Sequence, residues 1–293
     1  MARNRQPLAP SVLSALLPFL FALLWASSYA GAKIGLLDIT PLAFVALRLS
    51  IAAAAAALLM RAMGRAWPRA ASWPALLLGG ALLHGFGLST AHMALVSVDA
   101  TPTALVHAFH PILTAALGTV LLRESFASWQ WFGVALGFAG VVLGVPLSLG
   151  GGNIALLAAS LFGLTAGTLT LRKYCAAVPA FESNAVQVVG GALISVLLMA
   201  LFETPHWRWT AAFAGALAWN TLAMSIFGMA IYSLMLERHG AGRASAGFFV
   251  VPGASALIAY VLLDEHVSAP AVAGLAAATI GVILVWWRSA RNR

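Results

Sequence analysis

The sequence predicts an all-helical polytopic membrane protein: ten transmembrane helices in two inverted five-helix repeats, with both termini cytoplasmic. Three observations predict it. The 293 residues are 62% hydrophobic and only 8% charged, with a mean hydropathy of +0.95, whereas a soluble domain is about a quarter charged. The basic residues fall almost wholly on one side of the alternating apolar spans. And one long stretch of the chain occurs twice.

The duplicated stretch runs from His110 to Leu143 and again from Val251 to Leu284. The offset, 252 − 111 = 141, carries Pro111 onto Pro252, Glu124 onto Glu265, Gly133 onto Gly274 and Gly140 onto Gly281 without a gap. Across the 33 positions from Pro111 to Leu143 there are 11 identities. Leucines coincide by chance in apolar sequence; an ordered proline, acid and glycine pair carries more weight as an internal repeat. The offset extends weakly into the preceding span, where Phe86 meets Phe227 and Gly87 meets Gly228, and Pro41 faces Pro179 more loosely.

A span needs roughly 20 apolar residues. Ten windows satisfy this: 11–32, 41–61, 73–96, 101–122, 129–148, 153–172, 181–202, 211–236, 243–263 and 269–288. The first is too long for the ~7–15-residue apolar core of a signal peptide and reads as a retained span. Turn-like links separate the spans and leave no room for a soluble domain. The division is 1–148 for the first repeat and 149–293 for the second. With the N-terminus inside, 13 Lys and Arg fall on the cytoplasmic side and 2, Lys33 and Arg208, on the other. That split orients the chain, and an odd number of spans would scramble it. Five spans per half then make the repeats inverted. The +8 formal charge is a topology signal rather than a nucleic-acid footprint. Tryptophans at 67, 73, 129, 131, 207, 209, 286 and 287 sit where interfacial belts are expected, and Trp25 and Trp219 do not. Lone Cys175 excludes an internal disulfide framework.

The repeated pattern resembles the EamA domain of the drug/metabolite transporter superfamily. The residues that carry the resemblance are Pro111, Leu121-Leu122-Arg123-Glu124, Gly133 and Gly140. They recur at Pro252, Glu265, Gly274 and Gly281, while Trp25-Ala-Ser-Ser, Pro41 and Arg48 are similar to the family's first two helices. The resemblance covers nearly the whole chain, and within the family the pattern is most similar to YddG-type aromatic amino acid exporters. It implies a secondary transporter in the cell inner membrane, exporting amino acids, aromatic or broad-range, or similar small metabolites by alternating access. The alternative is a multidrug or other metabolite exporter of the same superfamily. An enzyme is not expected: the sequence has no H-E-x-x-H, G-x-S-x-G, nucleotide-binding glycine loop or paired intramembrane aspartates. No cofactor, catalytic residue or metal site is expected either. The expected partners are a small-molecule substrate and the bilayer, with no nucleic acid, and the chain is a monomer or homodimer.

All eight acids lie at span ends or in links, which argues against proton antiport through a buried carboxylate. Glu124 and Glu265 read as structural acids bonding a neighbouring turn. Four histidines lie inside spans and should face the bundle or a cavity. The second half does not repeat them, since His84 meets Ser225, His107 meets Phe248 and His110 meets Val251. The expected substrate cavity is therefore Trp25, Tyr29, His84, His107, His110, Phe162 and Phe248, the aromatics offering stacking surfaces. His92, eight residues from His84 and about 80° round the helix, is left out. Pro111 and Pro252 each break a helical hydrogen bond and are expected kinks or hinges. Arg48 is the only basic residue well inside a span; it could receive a carboxylate, but about 10 Å from its span's outer end it could also snorkel to the interface, and a structural role is favoured. Gly133, Gly137, Gly140 and Gly144, with Gly274, Ala278 and Gly281, have small-xxx-small spacing suited to close helix packing or a dimer.

Overall fold

The computed structural model describes residues 12–123, 126–146, 149–229, 231, 232, 234 and 251–286. Among them the backbone is helical apart from short links, and strand-like pairing is limited to one bridge between Ile39 and Trp207. The helices are α1 (Val12–Gly35) and α2 (Pro41–Ala62). α3 (Trp73–Gly80) runs through a π-helical segment (Ala81–Phe86) into α4 (Gly87–Leu95). Then come α5 (Ala100–Ala108), α6 (His110–Leu121) and α7 (Ser128–Gly144). The second half holds α8 (Gly151–Tyr174), α9 (Ala180–Phe202) and α10 (Ala211–Ala218), which continues into a second π-helical segment (Trp219–Gly228). α11 (Val251–Leu263) and α12 (Ala269–Trp286) follow.

Among the described residues, six stretches are long and apolar enough to cross a bilayer: Pro41–Ala62, Ala70–Leu95, Ala100–Leu121, Gly151–Tyr174, Ala180–Phe202 and Ala211–Gly228. Ser128–Gly144, Val251–Leu263 and Ala269–Val285 are apolar but shorter. The protein is thus a multi-pass, all-helical membrane protein. The ninth expected span begins outside the described residues. The fifth, expected to reach residue 148, ends at Gly144, and Val145 is extended at φ −85°, ψ 124°. Pro146 explains the stop, because a proline disfavours helical backbone in the residue before it.

The 141-residue offset reappears in the backbone. The first π segment, moved by 141, falls at 222–227, inside the second. Arg123 and Asp264 (264 − 123 = 141) are the non-glycine residues with positive φ, both at 55°, among the described residues. Each immediately precedes a repeated glutamate. The glycine ladder closes the correspondence. A Cβ at Gly133 would lie 2.8 Å from the Gly281 carbonyl, and one at Gly281 2.6 Å from the Gly133 carbonyl. Gly140 and Gly274 have the same mutual relation, at 2.6 and 2.5 Å. α7 and α12 therefore cross antiparallel, and each contact maps onto its partner under the offset. Only glycine permits that approach, so the ladder serves packing within one chain.

Charged groups gather at one end of the bundle. Glu203 accepts hydrogen bonds from the backbone N–H groups of Leu42 (2.9 Å) and Ala43 (2.7 Å), capping α2. Buried Glu265 does the same for α5, accepting from Ala100 N (2.9 Å) and Thr101 N (3.3 Å). A carboxylate at a helix N-terminus satisfies orphan donors and complements the macrodipole. Glu265 thus acts as the structural acid the sequence suggests, while Glu124 lies outside the described residues. Arg208 pairs with Asp38 at 2.6 Å, and Lys33 lies 3.7 Å from Asp99 while donating to Val98 O. At the opposite end Arg65 pairs with Glu182 at 2.9 Å.

Candidate functional site

Inside the bundle lies a cavity of about 60 Å³, room for on the order of four to six waters. Both halves wall it: α1, α2, the first π segment, α4 and α5 from the first, and α8, α9 and the second π segment from the second. His84 and its offset counterpart Ser225 both face it, each from its own π segment. π-helical turns are rare and concentrate at functional sites; here two stand at equivalent positions beside one cavity. Close approach of flanking helices fixes the first. A Cβ on Gly163 of α8 would lie 2.8 Å from Leu82 O, and one on Gly191 of α9 2.8 Å from the His84 Cβ.

One wall is a continuous hydrogen-bond chain with a single polarity. Trp25 Nε1–H donates to the Tyr29 hydroxyl (3.4 Å), which lies 2.9 Å from His107 Nδ1. His107 Nε2 lies 2.8 Å from Ser160 Oγ, whose hydroxyl donates to Gly87 O at 2.8 Å. Because Ser160 spends its proton on the carbonyl, His107 Nε2 must be the protonated nitrogen and Tyr29 must donate to Nδ1. Both ring nitrogens of His107 are thereby engaged, so the ring fixes the wall and has no lone pair left for a metal. Among the described residues no three His, Cys, Asp or Glu side chains form a metal-binding group.

The remaining polar groups are not closed off. His92 stacks on Phe44 (centroids 5.5 Å apart), and its Nδ1 lies 2.7 Å from Leu88 O. A carbonyl only accepts, so Nδ1 carries the proton and Nε2 is left as an acceptor, with no partner among the described residues. His84 Nε2 and Asn184 Oδ1 are likewise buried without partners among the described residues. Arg48 is 5% exposed, its Nε donating to Ser225 Oγ (3.3 Å) and Nη1 to Asn220 Oδ1 (3.1 Å).

Trp25, Tyr29, His84 and His107 line the cavity. His110 does not: its Nε2 bonds Thr168 Oγ1 of α8 at 3.1 Å. Phe162 is turned outward, 63% exposed. Ser160 and Leu164 face inward, and a residue two positions from each lies about 200° round the helix, so Phe162 points away from the cavity. Phe248 lies outside the described residues. Pro111 does break its span: α5 and α6 part at Phe109, whose N–H bonds Val106 O at 3.1 Å. Pro252 is a buried second residue of α11, and the preceding turn is outside the described residues. His92, Asn184, Ser225 and Arg48 join the cavity lining. Arg48 does not reach for the interface; its guanidinium is held inside. The wide π turn explains His92. It rotates less per residue than an α-helix, which narrows the 80° separation from His84. Asn184 and Asn220 carried a usable sign, being neutral polar residues in otherwise apolar spans.

The helical bundle holds a small, largely apolar cavity with a few polar groups between two related halves, an arrangement that suits a membrane transporter. The particular family follows from sequence comparison: the profile of the EamA-like transporter family matches residues 12–145 and 151–287, and the chain belongs to that family. The chain is similar to the uncharacterized transporter YvbV of Bacillus subtilis, 24% identical over 94% of this chain and 92% of that protein. It is also similar to the uncharacterized transporter YoaV of the same organism, at 21% identity over 92% and 96%. One crystal structure shares the fold with a TM-score of 0.67 and 22% identity, covering 96% of this chain and 99% of the other.

Proposed function

We propose that this protein is a secondary carrier that exports amino acids, aromatic or broad-range, across the plasma membrane by alternating access. In this reading ten spans form two inverted five-helix repeats with both ends cytoplasmic. The observation that carries it is the cavity between the halves, walled by equivalent π segments but with unequal polar groups, His84 facing Ser225. Inverted repeats place a substrate site at their interface near the midplane, and the antiparallel, mutually mapped α7–α12 crossing supports that symmetry. Trp25 and Tyr29 supply aromatic surface beside the polar groups.

The cavity as it stands is too small for an amino acid, so the wall must open. A smaller void of about 10 Å³ shares Asn184, Ser225 and Met229 with it and reaches Leu59 and Phe181, beside the Arg65–Glu182 pair. The other end is tied by Lys33–Asp99, Arg208–Asp38 and two capping glutamates. Basic-residue counting puts the Arg65–Glu182 end in the cytoplasm, which is the loading side of an exporter. The test is uptake of radiolabelled amino acids into proteoliposomes with and without a pH gradient. Saturable tryptophan or phenylalanine uptake, competed by other amino acids, is expected. Uptake of drug-like cations with none of amino acids would move the assignment to a multidrug exporter.

A further inference from the structure

Arg48 is a cation buried in the membrane-spanning bundle, and its partners among the described residues are neutral. It donates one bond to a serine hydroxyl and one to an asparagine carbonyl, and no bond of its Nη2 group appears among the described residues. The described acids are committed elsewhere or lie at helix ends: Asp38 to Arg208, Asp99 near Lys33, Glu182 to Arg65, Glu203 and Glu265 to helix caps, and Asp264 in a terminal turn. A guanidinium without a counter-ion at such depth is costly and marks a functional group. Arg48 lines the cavity and is 5% exposed, so the place where a counter-ion would be least costly is the cavity itself.

Resting on the transport reading above, we propose that Arg48 is the anion-docking residue of the cavity and that the substrate must carry a carboxylate, which Nη2 receives. The planar fork of arginine suits that group, whereas Ser225 and Asn220 hold the other nitrogens and aim it. The same wall supplies bare acceptors at His92 Nε2 and Asn184 Oδ1. A guanidinium donor and neutral acceptors in one cavity match a zwitterion, whose ammonium takes the acceptors. A cationic amine lacking the carboxylate would meet the Arg48 charge unshielded.

The experiment uses the full-length protein with L-tryptophan, L-phenylalanine and L-leucine. Each is compared with its own decarboxylated amine: tryptamine, phenethylamine or isoamylamine. Equilibrium binding in detergent and flux in proteoliposomes are measured for the wild type, Arg48→Lys and Arg48→Gln. The wild type is expected to bind each amino acid roughly tenfold to a hundredfold more tightly than its amine. Arg48→Lys should keep part of that ratio, and Arg48→Gln should bring it near one while still binding the amines. A purely structural arginine would weaken both ligands alike and leave the ratio unchanged. Equal binding of acid and amine by the wild type overturns the proposal, as does binding of none of the six probes. If Arg48→Gln fails to fold, the wild-type and Arg48→Lys ratios still decide. Arg48-dependent binding without flux would keep the docking role and refute the carrier; flux of acid and amine alike would keep the carrier and refute the docking role.

Discussion

Replacing Glu265 by alanine should destabilise the protein through a single, countable loss. The side chain is 9% exposed and holds the first two N–H groups of α5, at 2.9 and 3.3 Å, with Thr101 Oγ1 at 3.4 Å. Hydrogen bonds to a charged group contribute about 1.5–3 kcal/mol each. The 3.3 Å contact is long, and water can reach a helix end, so the expected total is ~2–4 kcal/mol rather than the full sum. Glu265→Gln keeps an acceptor oxygen and loses the charge–dipole part, about 0.3–1 kcal/mol and up to ~2 when partly buried. With roughly 2–4 °C per kcal/mol for chains of a couple of hundred residues, alanine should lower the apparent Tm by about 4–16 °C, and glutamine by less. Tryptophan fluorescence during thermal unfolding in detergent reads both. Equal Tm values for the wild type and Glu265→Ala would refute the capping argument, and so would a glutamine variant as unstable as alanine.

Gly140→Val would drive a branched side chain into the Gly274 carbonyl, and overpacking of that kind costs about 1–3 kcal/mol; a lower Tm, with Gly150→Val unchanged in open space, is the expected pair of results. Asp264 sits at φ 55°, a conformation that costs a non-glycine residue roughly 1–2 kcal/mol. Asp264→Gly should therefore hold or raise the Tm and Asp264→Val lower it. His84→Ala should reduce amino acid flux severalfold while membrane insertion, read by detergent-extracted yield and gel filtration, stays at the wild-type level. Unchanged flux in a folded variant would remove His84 from the site.

Composition and span length were enough to read the membrane and the helices, because lipid leaves the backbone few alternatives. The repeat was legible because Pro111, Gly133 and Gly140, with Glu265 in the second copy, perform backbone tasks, namely a break, close approaches and a cap, that few other residues can. The glycine contacts of α7 and α12 follow from that pattern. The cavity was only half legible. Trp25, Tyr29, His84 and His107 stood out by residue type. Arg48 stood out as the only basic residue well inside a span, but its direction was not legible, because a position about 10 Å from the span's end permits either an outward or an inward side chain and its neutral partners Asn220 and Ser225 lie more than 170 residues away. The π segments leave no mark in composition, and they change the rotational phase on which a helical wheel depends, which is why His92 was set aside. Phe162 was misplaced because its aromatic type suggested a cavity wall, whereas the inward stripe of this helix is Ser160, Gly163, Leu164 and Gly167.

Counterflow tests the carrier most directly. Proteoliposomes loaded with unlabelled tryptophan are diluted into a trace of labelled tryptophan, and internal label is followed with time. Alternating access through one cavity predicts a transient overshoot, label rising above its equilibrium level before it falls, and its absence in protein-free vesicles. Simple equilibration without overshoot, at a rate proportional to concentration, would contradict the account and describe a pore.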